Sequence, residues 1–388
     1  MNVTDRLKFS PYAPVRNQNE FWWIFAANVA RLGWVLKDGR VAAPLMDSIQ
    51  NDLIGQAANI LLPSLKDEYQ DPEERGHVAG EIVAKLAELR HWVPLAAQFI
   101  NCGRQIFDLT DQVVEMLEQT DFGDCTLEDL HLPYEAFFVR FGKREAIHIP
   151  WDEEQGPEYL DGAFVAMTPY DEQGNLRLKL GFSTCKKGGE GVMLPGYFLD
   201  FRPEEQAMPV ALAIEHAINR RSGEFLDKPD DDKTDKAINA HRRDEITNGG
   251  EILKQASSLI VNVLFYLESL GGQQRLEPGR DAPTDYVVRW EQSNPRQREK
   301  LKSRMLSEGY TTVHLLGREF SSPSTVPQGG HRRTHWRRGH WRRQHHGQGN
   351  SLTKRKWIKP QVIGAGSADE LTGHIYVVGN TETPDTRH

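Results

Sequence analysis

Two near-identical pentapeptides stand side by side in this 388-residue chain: His335-Trp336-Arg337-Arg338-Gly339 and His340-Trp341-Arg342-Arg343-Gln344, closed by His345. His331-Arg332-Arg333-Thr334 precedes them as a partial copy without the tryptophan. Arginine beside tryptophan suits single-stranded nucleic acid. Guanidinium forks take phosphate oxygens two at a time, and indole faces offer stacking platforms indifferent to base identity. Stacking one base on an aromatic ring contributes about 1–3 kcal/mol, so Trp336 and Trp341 would matter. The alternative is that Trp336, Trp341 and Trp357 form the segment's own small core, with arginines laid over the rings. The candidate phosphate contacts are Arg332, Arg333, Arg337, Arg338, Arg342 and Arg343, followed by Lys354, Arg355 and Lys356.

Imidazole titrates near neutrality, so His335 and His340 are the candidates for proton transfer in a metal-independent RNA cleavage. A histidine-rich basic loop is more often a binding surface than a catalyst. As metal ligands these histidines are poor, because no Cys, Asp or Glu lies nearby and six arginines repel a dication. No metal and no cofactor is expected. Other motifs are weaker still. The glycine-rich stretch from Lys186 to Gly191 lacks the Gly-Lys-Ser/Thr ending of a phosphate loop. Asp230-Asp231-Asp232 and Asp152-Glu153-Glu154 have no partner spacing for a cation, and Glu215-His216 lacks the second histidine of a zincin.

The net charge of −8 hides an uneven distribution. No Asp or Glu occurs from Phe320 to Ala368, and ten Lys/Arg fall between His331 and Lys359. The other 37 basic residues face 55 acidic ones, a balance of −18. An acidic body repels polyanions, which confines any nucleic-acid contact to the basic segment. The bland alternative is that the segment merely neutralises the body. Three cysteines, Cys102, Cys125 and Cys185, are widely separated, which fits a reducing interior rather than a disulfide framework. A polar opening stretch and apolar runs too short for a bilayer (21–30 and 258–270) predict a cytoplasmic protein with no membrane partner.

The elements that must position these residues follow from periodicity. Helical spacing predicts helices over 20–37, 45–65, 71–91, 94–100 and 106–119, the third opened by Asp71-Pro72-Glu73-Glu74. Strands are expected over 134–141, 146–151, 163–169, 176–183 and 196–201, with a hairpin turn at 171–175. Helices at 204–221 and 251–270 flank a polar, mobile connection at 228–244. A helix over 295–307 then leads to a strand over 311–316. Further strands are expected over 356–363 and 371–380. A five-residue period stacks two tryptophans on one face of neither helix nor strand, so the tandem repeat predicts an extended segment bent at Gly339, Gly347 and Gly349. The fold class is α+β: a helical N-terminal region (1–131), a mixed or antiparallel sheet with helices (132–320), a linker (321–330), a small basic C-terminal module (331–368) and a polar tail (369–388).

The order His335, Arg337-Arg338-Gly339-His340-Trp341, Gly347-Gln348-Gly349, then Trp357-Ile358-Lys359-Pro360 resembles the C-terminal signature of a type V-A anti-CRISPR family carried by phages and plasmids. Leu132-Pro133 before the strand at 134–140 is a weaker echo, and the helical first third shows none. The resemblance implies a translational silencer. It would recognise the nascent N-terminal peptide of a target at the ribosome and promote loss of the encoding mRNA. The chain has its own N-terminal region and an added tail from Asp369 to His388, so the target is unidentified and need not be a CRISPR nuclease. Two other readings stay open: a DNA- or RNA-binding repressor or partition-type regulator without mRNA decay, and a metal-independent ribonuclease.

Overall fold

In the computed structural model, Ala136 and Phe138 belong to one hydrophobic cluster and Phe137 and Val139 to another, and all four are buried. A strand buried on both faces belongs inside a sheet that is covered on both sides. The structure describes residues 11–12, 15, 65, 70–128, 130–144, 147–149, 158–171, 173–186, 191–226, 233–270, 275–317 and 335–363, some of them as backbone alone. The helices expected at 20–37 and 45–65 (Leu65 excepted), the linker at 321–330 and the strand at 371–380 lie outside these residues.

The first elements in chain order are α1 (Pro72–Asn101), β1 (Ile106–Leu109), α2 (Asp111–Glu118), β2 (Thr120–Asp121), β3 (Ala136–Arg140) and β4 (His148–Ile149). Next come β5 (Glu158–Pro169), β6 (Leu176–Lys186), β7 (Gly191–Phe201), α3 (Pro203–Gln206), α4 (Val210–Leu226) and α5 (Lys233–Ser269). The chain continues through β8 (Leu276–Pro278), α6 (Thr284–Gln292), α7 (Pro295–Ser307) and β9 (Thr312–Leu316). It closes with β10 (His335–Arg337), β11 (Gly339–His346), β12 (Leu352–Ile358) and β13 (Gln361–Ile363). The main sheet runs β7-β6-β5-β3-β1-β9-β8, with β4 beside β5. Pairing is parallel at β3–β1 and β1–β9 and antiparallel elsewhere in it. The α+β class with a mixed sheet is therefore observed.

One face of the sheet lies under α1, where Trp92, Leu95 and Phe99 meet Phe138 and Phe164. Phe164 takes both Trp92 and Phe99 edge-on, at 6.0 and 5.2 Å between centroids. The helix lies so close that a Cβ at Gly181 would stand 2.7 Å from Leu95 Cδ1 and from Trp92 Cζ3. The other face lies under α4 and α5. Between positions 259 and 267, α5 buries Leu259, Ile260, Val261, Val263, Leu264, Phe265, Tyr266 and Leu267, so it is covered on every side. Among the described residues no helix is long and apolar enough to cross a membrane.

Several expectations need correction. Residues 106–109 form β1 inside the sheet, and only Asp111–Glu118 is helical. A strand buried on both faces shows no alternation, so its apolar run merged with the helical stripe that follows. The helix beginning at Pro72 does not stop at residue 91 but continues through Pro94 to Asn101. Interior proline costs about 3 kcal/mol, and burial of Trp92, Val93, Leu95, Ala96 and Phe99 more than offsets it. From Lys233 the supposed connection is helix, continuous with α5. The predicted turn at 171–175 is present, with Asn175 N donating to Asp171 Oδ1 at 3.0 Å.

At the carboxyl end of β1 the fully buried Asp108 carboxylate accepts from Arg280, Arg140 and the Tyr12 hydroxyl. Burial, then the charge of Asp108, push the Tyr12 phenol far up. Burial works against the Arg280 charge, but its bonds to Asp108 outweigh that and raise its pKa. Asp108→Asn is expected to cost about 3–5 kcal/mol in a urea titration, because it strips the counter-charge from two arginines packed against it. Nearby, Asp161 accepts from Ser183 Oγ at 2.8 Å, and burial pushes its carboxyl up despite Arg140 and that bond. A raised folded pKa contributes stability that is full below the unfolded value of about 3.9 and lost as pH rises through the folded one. Asp161→Asn should therefore gain stability relative to the parent as pH is taken from acidic to neutral, read from parallel thermal melts.

Candidate nucleic-acid interface

The tandem repeat folds as one antiparallel hairpin with a break in it. His335 pairs with Ile363 and His340 with Ile358, so β10–β13 and β11–β12 share a single register. In that register Arg338 stands opposite Pro360, which has no N–H to give the ladder. At the break the chain turns to the body. Gly339 N donates to Gln119 O at 3.1 Å, and Gly339 and His340 pair in parallel with Thr120 and Asp121 of β2. A Cβ at Gly339 would lie 2.7 Å from both Pro360 Cδ and Thr120 Oγ1, so only glycine fits. The far end is turned by Gly347 and Gly349, at φ of 81° and 65°, as their positions in the sequence anticipate.

Strand alternation sorts the side chains. Trp341, Arg343 and His345 share a face with their partners Trp357, Arg355 and Thr353, and this face turns toward α5. Trp341 is 2% exposed, stacks on Trp357 at 5.9 Å and meets Phe265 edge-on at 5.6 Å. Its Nε1 donates to Asn262 Oδ1 at 2.8 Å, while Asn262 Nδ2 donates to Leu117 O and Thr120 O at 3.0 Å each. Trp357 Nε1 donates to Thr120 Oγ1 at 3.2 Å, and Tyr266 packs on its ring. Arg355 lies over Phe265 at 4.3 Å and pairs with Glu268. Burial beneath this seat pushes the Cys125 thiol up, which keeps it an inert core residue.

The sequence offers Trp341 either as a base-stacking platform or as core and Arg355 as a phosphate contact; the structure decides for core in the first and corrects the second. Trp341 fills the body's core and offers no face to a base. Arg355 is committed to Glu268 and the Phe265 ring. The opposite face carries His340, Arg342, Gln344 and His346 against Ile358, Lys356, Lys354 and Leu352. Arg342, Lys354 and Lys356 are exposed there, and His340 is half-buried. Arg338 is exposed at the break, 4.0 Å from Asp121. Arg343 is exposed near the edge and donates to Thr126 Oγ1 at 3.1 Å. His335, Trp336 and Arg337 form strand β10, and Arg332 and Arg333 lie outside the described residues. What the geometry brings together is a two-stranded platform of cations suited to phosphate.

Sequence reasoning missed Asn262, Thr120 and Glu268, which seat the hairpin. A signal for Asn262 was present, because an amide amid an unbroken apolar run on a helix demands buried partners. Beside the seat opens a cavity of about 790 Å³ between β2, α5 and the segment after β3. Phe122, Ile147 and Leu259 give it an apolar wall, and Asp121 and Glu251 contribute carboxylates. Among the described residues no cluster of His, Cys, Asp or Glu is arranged to hold a metal.

A family model described as AcrVA2-like, the anti-CRISPR type V subtype A2 family, matches residues 107–365, more than half of the chain. The chain belongs to this family. The match runs from β1 to just beyond β13 and so takes in the hairpin and its seat. No curated protein matches. The crystal structure of AcrVA2 aligns with a TM-score of 0.39 and 14% identity, over 93% of this chain and 99% of that one.

Trp341→Ala is expected to destabilise the protein by about 3–5 kcal/mol through the cavity it leaves. Trp341→Phe, which keeps a ring but orphans Asn262 Oδ1, should cost about 1–3 kcal/mol. Chemical denaturation gives both values, and proteolysis within 335–363 should quicken in the same order.

Proposed function

We propose that this anti-CRISPR family member is a translational silencer that recognises a specific nascent polypeptide at the ribosome and promotes loss of its mRNA, touching RNA through the outer face of its C-terminal hairpin. The observation that carries the RNA contact is the division of labour across that hairpin. The ring faces and Arg355 are spent on the body, while Arg342, Lys354 and Lys356 stand together on the solvent side. Three cations grouped on the solvent face of a two-stranded ribbon, unpaired among the described residues, suit phosphate binding, and the acidic remainder of the chain directs a polyanion to that face. Purely structural cations would sit where carboxylates are, as Arg355 does beside Glu268.

Recognition of a peptide calls for a concave site that holds apolar side chains and a few polar groups. The cavity beside the hairpin fits that description. Of its charged lining, Arg144 is tied to Glu118, Lys254 to Glu215 and Asp121 to Arg338, while Lys143 lies over the Tyr159 ring, so the apolar wall of Phe122, Ile147 and Leu259 is the part left to grip a peptide. Its position next to β2, which pairs with β11, would place the peptide close to the RNA-contacting strand.

The test uses tagged candidate transcripts expressed beside the protein. One message should fall, and should be spared when its start codon is removed. Arg342→Glu/Lys354→Glu/Lys356→Glu should restore the message to at least half its level without the silencer, with the variant's thermal melt unchanged. Equal loss with and without the start codon would reject recognition during translation, and full loss with the triple variant would reject the hairpin as the RNA contact.

A further inference from the structure

The tandem repeat is not the only concentration of positive charge. Helix α7 reads Pro-Arg-Gln-Arg-Glu-Lys-Leu-Lys-Ser-Arg-Met-Leu-Ser. Arg296, Arg298, Lys300, Lys302 and Arg304 are opposed on it by Glu299 alone, a local balance of +4 within an acidic body. Packing does not explain the pattern. Of this helix only Met305 is buried, in a small cluster with Tyr286, Trp290 and Tyr310. That cluster, and Trp290 Nε1 donating to Leu276 O at 3.1 Å, fix α6 and α7 at the edge of the sheet beside β8. Arg298 is used in the same packing, its guanidinium 5.6 Å from the Trp290 ring centre and its Nε bonded to Trp290 O. Arg304 is paired with Glu308 at 3.1 Å.

Arg296 and Lys300 have no such employment. Both are exposed, and among the described residues neither enters an ion pair. They stand one turn apart, about 6 Å along the axis, which is close to the separation of successive phosphates in a nucleic-acid strand. Protein interfaces are depleted of charge at their centre and enriched in aromatic residues. The helix face formed by Arg296, Gln297, Lys300 and Ser303 has the opposite composition, which favours a phosphate backbone over an acidic protein.

We propose that the Arg296–Lys300 face of α7 is a second contact for the phosphate backbone of RNA, separate from the hairpin. It rests on the reading that this protein engages RNA, and it makes that engagement bipartite. One RNA would then be gripped at two places on an otherwise repelling surface, so the protein would hold a strand across its body.

The experiment measures the affinity of the full-length protein for a labelled single-stranded RNA of about 30 nucleotides, longer than a typical single-strand site, over a salt series. Arg296→Gln/Lys300→Gln is compared with Arg342→Gln/Lys356→Gln and with their combination. Each phosphate contact contributes about 0.7 to the slope of log affinity against log salt, so each double variant should lower the slope by about 1.4, and the combination by about twice that. The substituted side chains are exposed, and melting curves should coincide with the parent's. A helix variant with the parent's slope would overturn the inference while leaving the hairpin reading intact. A loss confined to the helix variant would uphold it and remove the hairpin reading. Tighter binding of duplex DNA than of RNA, or of polyglutamate with the same sensitivity to the helix variant, would also overturn it.

Discussion

A buried amide has to be bonded on every side or it costs free energy, and Asn262, in the C-terminal part of α5, is 3% exposed. Its two donors are taken by Leu117 O at the end of α2 and Thr120 O on β2, and its acceptor by the indole N–H of Trp341 on β11. Four elements therefore have to be in place together. The constraint works in both directions. Without the hairpin, Asn262 Oδ1 loses its donor and the Phe265 and Tyr266 side of α5 loses its cover; without α5, the paired tryptophans have nothing to pack on.

This seat explains how a strongly basic ribbon can stay on an acidic body without being consumed by it. Strand alternation gives the ribbon two faces, and apolar burial, not ion pairing, fixes which one turns inward. Trp341 and Trp357 supply that burial. One arginine, Arg355, is neutralised on the inner side by the half-buried Glu268, an arrangement that adds specificity of placement more than stability. Arg342, Lys354 and Lys356 are held away from the body's carboxylates by the thickness of the strand pair. The positive face is thus a product of the same packing that hides the rings.

The sequence was most legible where a strand had one wet face or a helix had clear ends. The helix at 295–307 has the bounds its sequence predicts, since Asn294, Pro295 and Gln297 spell out a capped start in the chain itself. The glycine bends at 347 and 349 were legible for a similar reason, because position and residue type agree. Burial on both sides erased the signal at β1, where Ile106 and Phe107 belong to opposite faces of the sheet. At Pro94 a sound local rule was overridden by tertiary packing. The fate of Trp341 was undecidable locally: indole serves a base and a core equally well, and what settles the matter is Asn262, 79 positions away in sequence. The helix α7 was legible as a helix, but its charge was averaged into an acidic body, so its basic face emerged only once its packing was known.

The boundaries of the family match now acquire a physical meaning. Residues 107–365 include the sheet from Phe107 onward, α4, α5 and the whole hairpin, so the seat built on Asn262 lies inside them. The opposite face of the sheet does not close on its own. Phe138, Phe164 and Val313 are covered there by Trp92, Leu95 and Phe99, and Asp108 is bonded by Tyr12, all from before the matched region. A chain that keeps the matched region must therefore bring some other apolar cover for that face, and a partner for the Asp108 carboxylate beyond Arg140 and Arg280. The N-terminal part of this protein is in that sense a structural necessity of the core.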